Sequence, residues 1–228
     1  MSDGVPSKSQ VKKAGSTIRK YFREEVDFDV AVDAVAVVED WRRAHYIPLV
    51  SANNGLRSRA RTAGVEAEVT QRLKRRQTIM DKVQREPTLD LSRMQDIGGC
   101  RAVVESIDDL RRLEERVKNG RVPVVGGADY IAEPRQSGYR GVHVIVEYQG
   151  RQIEIQLRTT TMHSWALAAE DFSQMLGLNL KQDGDHPVQL FLATASEMMA
   201  LLETGEEIPD PLRALHEQRR LDALPLLP

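Results

Sequence analysis

Cysteine is almost missing from this chain: Cys100 is the single one in 228 residues. One thiol excludes an intramolecular disulfide and fits a reducing, cytoplasmic setting. Lying between Gly99 and a valine-rich run, it reads as a small buried residue rather than a nucleophile. No group of His and Cys has zinc spacing, so a structural zinc site is not expected. No run approaches the roughly 18 apolar residues that span a bilayer, which removes a membrane role. The opening MSDGVPSKSQVKKAG is basic with no apolar segment behind it, unlike a secretory signal. A net charge of −2 also removes any whole-protein attraction to nucleic acid.

What is present is an ordinary globular mixture, 41% hydrophobic and 29% charged, without internal repeats. Residues 1–28 read as a flexible N-terminus, because Ser, Gly and Lys dominate the opening. Residues 29–60 read as a helical segment, with Val30, Ala34, Val37, Val38 and Trp41 on one face. A second helix is expected from Val65 to Glu86, where Val65, Val69, Leu73, Met80 and Val83 recur and Pro87 stops the pattern. Arg57, Arg59 and Arg61 lie between them, in loop or helix. Arg101 to Val104 reads as a buried strand, and a helix capped by Ser106 or Asp108 runs through Leu110, Leu113 and Val117. Val122 to Gly127 reads as flexible. A hairpin follows, then a helix containing Trp165. Asp183-Gly184-Asp185 breaks the chain before a C-terminal helical segment and tail, 183–228. Strands interleaved with helices define an α+β fold, centred on 61–182 with extra helices at both ends.

Chemistry concentrates in four places. In the hairpin, Ile153, Ile155 and Leu157 alternate with Glu154, Gln156 and Arg158, so a carboxylate, an amide and a guanidinium share one strand face. Across the Gln149-Gly150 turn, Val142, Val144 and Val146 match the apolar face and His143 falls opposite Gln156. The second place is basic: Arg57 to Arg85 holds nine basic residues against three acidic ones, including Arg72, Lys74 and Lys82. Such a run is either a solvated helix face or a polyphosphate clamp. Third, Asp96 precedes Gly98 and Gly99, as a turn residue or as a hard-oxygen ligand for Mg2+. Fourth, Tyr139 stands in a glycine-bearing loop between Arg135 and Arg140, either packed in the core or offered to a nucleobase. Together these are parts for moving a phosphate-bearing group between nucleotides, where catalysis is mostly positioning and charge neutralisation.

The segments RLKRRQTIMDKV, DIGGCRAVV, DYIAEPRQSGYRGVHVIVEY and IEIQLRTTTMHSWA, in that order, resemble the RelA/SpoT alarmone synthetases. The resemblance implies a nucleotidyltransferase-like mixed β-sheet with flanking helices. It implies transfer of the β,γ-diphosphate of ATP to the 3′-hydroxyl of GDP or GTP, releasing AMP, with Mg2+ as cofactor. By that resemblance Arg72, Lys74 and Lys82 are similar to the ATP-phosphate contacts, and Arg101 to the arginine that holds adenine. Asp96 is similar to the metal ligand, and Glu154 to the catalytic glutamate that holds metal or takes the proton. Tyr139 resembles the residue stacked on the acceptor guanine, with Arg135, Arg140 and His143 near acceptor phosphates or ribose and Gln156 and Arg158 orienting groups beside Glu154.

Three positions depart from the family's pattern. Arg135 replaces the usual lysine, Gly141 the usual serine, and the acidic position after Trp165 is blurred between Glu170 and Asp171. No His-Asp pair of the hydrolase kind is present, so a stand-alone synthetase without hydrolase activity is expected. The terminal helices and the Arg57-Arg59-Arg61 run leave a second reading open, a toxin-like relative acting on the 3′ end of tRNA or on an adenine nucleotide. A homo-oligomer or a neutralising antitoxin protein is a further possible partner.

Overall fold

The computed structural model describes residues 4–181 and 184–227. A five-stranded mixed sheet carries the fold: β1 (Glu68–Leu73), β2 (Gly98–Val104), β3 (Val124–Asp129), β4 (Val142–Tyr148) and β5 (Arg151–Thr159). Its order is β1-β2-β5-β4-β3; β2 and β5 run parallel and every other pair is antiparallel. Eight α-helices surround it among the described residues: α1 (Lys8–Phe22), α2 (Phe28–Arg43), α3 (Tyr46–Thr62), α4 (Arg76–Arg85), α5 (Ile107–Lys118), α6 (Thr160–Leu176), α7 (Pro187–Thr204) and α8 (Asp210–Ala223).

The hairpin forms as its alternation dictates. Ile153, Ile155 and Leu157 are buried against Val146, Val144 and Val142, and His143 pairs with Gln156. Gln149 (φ 50°) and Gly150 (φ 72°) are both left-handed, the two-residue turn that matches strand twist. The apolar face of the sheet packs on α3 and α5 through Leu49, Leu56, Leu110 and Leu113, with Cys100 fully buried there. That leaves the other face for polar side chains.

Three expectations need correction. Residues 8–22 are the helix α1, not a frayed end: a capping box joins Ser7 and Gln10, and Val11, Ala14 and Ile18 pack with α2 and α4. Val65 to Glu86 is not one helix; Glu68–Leu73 is a strand and only Arg76–Arg85 is helical. The apolar residues Val65, Val69 and Leu73 recur every four residues, a spacing that fits period two as well as 3.6. Val69 and Thr70 are β-branched, and pairing with β2 decides the outcome. Val122 to Gly127 is not flexible throughout, since Val124–Asp129 forms the edge strand β3, with a register shift between Val124 and Gly126. The expected break at Asp183 lies outside the described residues. No helix among the described residues is long and apolar enough to cross a membrane.

The arginine run on α3 is largely spent on the fold. Arg57 donates to the Val69 carbonyl and Arg59 to the Tyr148 hydroxyl, so two of the three arginines behind an RNA-binding reading are bonded within the fold, while Arg61 is exposed.

Candidate active site

The open face of the sheet is built by register. Glu154, Gln156 and Arg158 on β5 lie beside Gly99, Arg101 and Val103 on β2, and on the other side Ile145 and His143 of β4 pair with Glu154 and Gln156. Thr70 and Arg72 of β1 extend the row past β2. Candidate residues from four segments of the chain thus reach one surface because each strand exposes alternate positions.

Asp96 sits just before β2, where the Lys74 amide donates to the Ile97 carbonyl and so brings the β1 end alongside. Lys74 Nζ donates to Asp96 Oδ2 at 2.8 Å, and Lys82 Nζ, from α4, lies 3.5 Å from the same oxygen. Burial pushes this carboxyl up, but the two ammonium groups outweigh it and hold Asp96 below its ordinary value. Its other oxygen, Oδ1, is buried with no hydrogen-bond partner. An ionised carboxylate with one unsatisfied buried oxygen is an open ligand position.

Glu154 is held by a closed circuit of hydrogen bonds. His143 Nδ1 donates to Oε1 at 2.9 Å, and Gln156 Nε2 donates to Oε2 at 2.6 Å. The Tyr139 hydroxyl donates to His143 Nε2 at 2.6 Å, which fixes the imidazole proton on Nδ1. Arg158 Nη2 closes both arms, donating to the Tyr139 oxygen and to Gln156 Oε1, each at 3.0 Å. Burial raises the Glu154 pKa and Asp96 adds to that, yet bonds from His143 and Gln156 prevail and the group lies below its ordinary value. The Asp96 carboxylate, already paired with Lys74 and Lys82, lies within electrostatic reach of Glu154.

These pairs give a pH signature. The carboxyls ordinarily titrate at 3.8 (Asp) and 4.5 (Glu), and both are depressed in the fold. Their stabilisation is therefore complete above those values and lost as pH falls through the lowered ones. Asp96→Asn is expected to flatten the acid fall in Tm relative to the parent chain, measured by thermal melts from pH 3 to 7 with the Mg2+ concentration held fixed.

Lys82, Asp96, Tyr130, Arg135, Glu154 and Gln156 line a cleft of about 490 Å³, with His143 also on its wall. Arg72 and Arg101 lie on the β1–β2 side of the same face, outside that cleft. Arg101 is lowered first by burial and then by Arg158 and Arg72, so three guanidinium groups crowd one another. Glu170, bonded to Lys181 Nζ at 2.5 Å, and Glu68 offset part of this charge. A cationic strip on one side of Asp96 and a cleft on the other make room for two ligands.

Two expected acceptor contacts are elsewhere. Tyr139 is 6% exposed: its ring packs against Tyr130, His143 and Trp165 and offers no free face for stacking. Its hydroxyl positions His143 and Arg158 instead. Arg140 turns the other way, into a buried ion pair with Glu203 of α7 at 2.6 Å, while Thr159 Oγ1 donates to the same carboxylate. The aromatic at the cleft is Tyr130, with the Arg135 guanidinium 4.7 Å from its ring centre and donating to its hydroxyl. Tyr130, Lys181 and Glu203 were not singled out by sequence; only Tyr130 carried a signal, lying inside the DYIAEPRQSGYR segment.

The loop that carries Tyr139 needs glycine at two points. Gly138 has φ +89°, and a Cβ there would lie 2.7 Å from the Ala193 backbone of α7. Gly141 has φ +150°, so the serine usual in the family would be strained here. Gly138→Ala is expected to cost about 1–3 kcal/mol for the backbone alone and more for the contact, seen as a lower urea midpoint.

An open sheet face with a Lys74–Asp96–Lys82 cluster and a hydrogen-bonded Glu154 suits a phosphate-bearing ligand, and related proteins narrow the class. Residues 71–173 match the region found in RelA/SpoT proteins. The GTP pyrophosphokinase YjbM of Bacillus subtilis is 35% identical over 148 residues, covering 59% of this chain and 67% of that protein. The uncharacterized protein Rv1366 of Mycobacterium tuberculosis is 30% identical over 190 residues, covering 81% of this chain and 64% of that protein. The chain thus spans about two thirds of these relatives. In structure it is similar to small alarmone synthetase 1 of Bacillus subtilis bound to its product pppGpp. That likeness has TM-score 0.61 and 27% identity, over 73% of this chain and 94% of the other. The chain belongs to the RelA/SpoT family of pyrophosphokinase-type transferases.

Proposed function

We propose that this chain transfers the β,γ-diphosphate of ATP to the ribose 3′-hydroxyl of GDP or GTP, releasing AMP and making an alarmone. One observation carries the reading: the circuit Arg158–Tyr139–His143–Glu154–Gln156, which fixes an ionised carboxylate beside Asp96 at the floor of a nucleotide-sized cleft. ATP phosphates lie against Arg72, Lys74 and Lys82, with Arg101 toward the base. The acceptor enters the cleft between Tyr130, Arg135 and His143. Glu154 accepts the proton of the attacking 3′-hydroxyl, and the fixed His143 and Gln156 bonds keep it oriented for that transfer. Lys74 and Lys82 stabilise charge that spreads over the transferred group.

The donor set fits Mg2+, which prefers one or two carboxylates completed by substrate phosphates. The unpartnered Asp96 Oδ1 would hold it, with Glu154 within electrostatic reach of that carboxylate. Among the described residues no group of three or more His, Cys, Asp or Glu could hold a metal ion. When bound, Mg2+ neutralises phosphate charge and makes the β-phosphorus more electrophilic.

The test offers ATP labelled on its γ-phosphate together with GDP, GTP, ATP alone or deacylated tRNA. Label on GDP or GTP supports the reading. Label confined to tRNA or to an adenine nucleotide replaces the acceptor, and no label on any acceptor refutes transfer.

A further inference from the structure

A second cavity, of about 430 Å³, lies at the hairpin-turn end of the sheet, between the start of α1, the end of α2, residues 92–95 and the β4–β5 turn. It shares Arg93, Met94 and Gln95 with the cleft but none of the cleft's carboxylates. Three cations line it, Lys8, Arg93 and Arg151, and no acidic residue does. None of the three is in an ion pair among the described residues. Asp90, the acidic group within electrostatic reach of Arg93, is already engaged: it accepts from Ser92 and pairs with Lys12 at 3.8 Å.

The Arg151 guanidinium lies 4.0 Å over the Trp41 ring. Stacking uses the flat face of the guanidinium; at its edge Nη1 reaches the Gly150 carbonyl at 3.5 Å, which leaves the other edge donors for oxygen acceptors. It also covers that face of the indole, so the cavity has one stacked cation, Arg151, and two exposed ones, Lys8 and Arg93, but no open platform there for a base. Ser92, Gln95 and Gln152 add neutral donors on the wall. In a chain of net charge −2, three unpaired cations around one cavity of small-molecule size are a local excess that selects an anion. The need for several charges and several donors at once points to linked phosphates rather than a lone carboxylate.

We propose that this cavity is a second, non-catalytic site that binds an oligophosphate-bearing small molecule through Lys8, Arg93 and Arg151. It is separate from the transfer reaction and is tested without turnover, so its failure says nothing about that reaction. The full chain is saturated with GDP and a non-hydrolysable ATP analogue to fill the cleft. Inorganic tripolyphosphate is then titrated by calorimetry, and GTP in a separate arm. One further equivalent of tripolyphosphate is expected, weakened about tenfold or more in a Lys8→Ala, Arg151→Gln double variant and unchanged in Arg72→Ala. Further binding of GTP as well would make a nucleotide the source of the phosphates; tripolyphosphate alone would make it a free oligophosphate. No further equivalent, or binding lost in Arg72→Ala but kept in the double variant, would overturn the proposal. Lys8 is exposed at the first position of α1, so Lys8→Ala alone serves if the double variant does not fold; an unchanged affinity in it would count against the site.

Discussion

Glu154→Gln is expected to lower kcat for AMP release by about 10²–10⁴-fold, the usual worth of a positioned general base. The substitution keeps size and leaves an amide oxygen to accept from His143 or Gln156, so the fold should survive it. What disappears is the charge proposed to take the proton from the 3′-hydroxyl. ATP affinity should change little, because the residues proposed to hold it, Arg72, Lys74 and Arg101, lie on strands β1 and β2 or at their edge rather than on the carboxylate. Steady-state kinetics paired with equilibrium ATP binding separate the two effects. A variant with kcat near the parent's would remove Glu154 from the chemistry.

Glu203→Ala is expected to destabilise the chain by about 3–5 kcal/mol, because it strands a buried guanidinium. Arg140 and Glu203 have side chains 7% and 10% exposed, and the carboxylate also accepts from Thr159 at the start of α6. This one group ties α7 to the loop that holds Tyr139 and to the end of β5. The same loop is pressed on α7 at Gly138, and Trp165 Nε1 donates to the Leu192 carbonyl close by. The C-terminal helices are thereby the backing of the candidate site. Denaturant unfolding gives the stability loss; a KM for the acceptor that rises more than the KM for ATP would show that the loop has moved. A loss of under 1 kcal/mol would mean that α7 does not brace the loop.

The parts legible in the sequence are those set by local periodicity. Glu154, Gln156 and Arg158 were placed on one face by alternation alone, and the His143–Gln156 pairing followed from a two-residue turn. The short apolar run at Arg101–Val104 became β2, and of the two candidate caps, Ser106 and Asp108, Ser106 caps α5. What stayed illegible depends on contacts far apart in sequence. Nothing near Tyr139 announces that Trp165 and Leu192 will share its buried cluster, and the partner of Arg140 is 63 residues away. Lys74 reached Asp96 from a strand end and not from a helix face, an outcome hidden by the four-residue spacing of Val65, Val69 and Leu73. The helix α1 was missed because its apolar stripe is narrow, only Val11, Ala14 and Ile18 among lysines and serines.

The central claim is a transfer of two phosphates together between nucleotides on this sheet face. Its most direct test incubates the chain with Mg2+, GDP and γ-labelled ATP, then resolves the products and locates the label by phosphorus NMR. The account predicts AMP and labelled product in equal amounts, with the diphosphate on the guanosine 3′-oxygen. Release of ADP, or label recovered only as free phosphate or pyrophosphate, would contradict it.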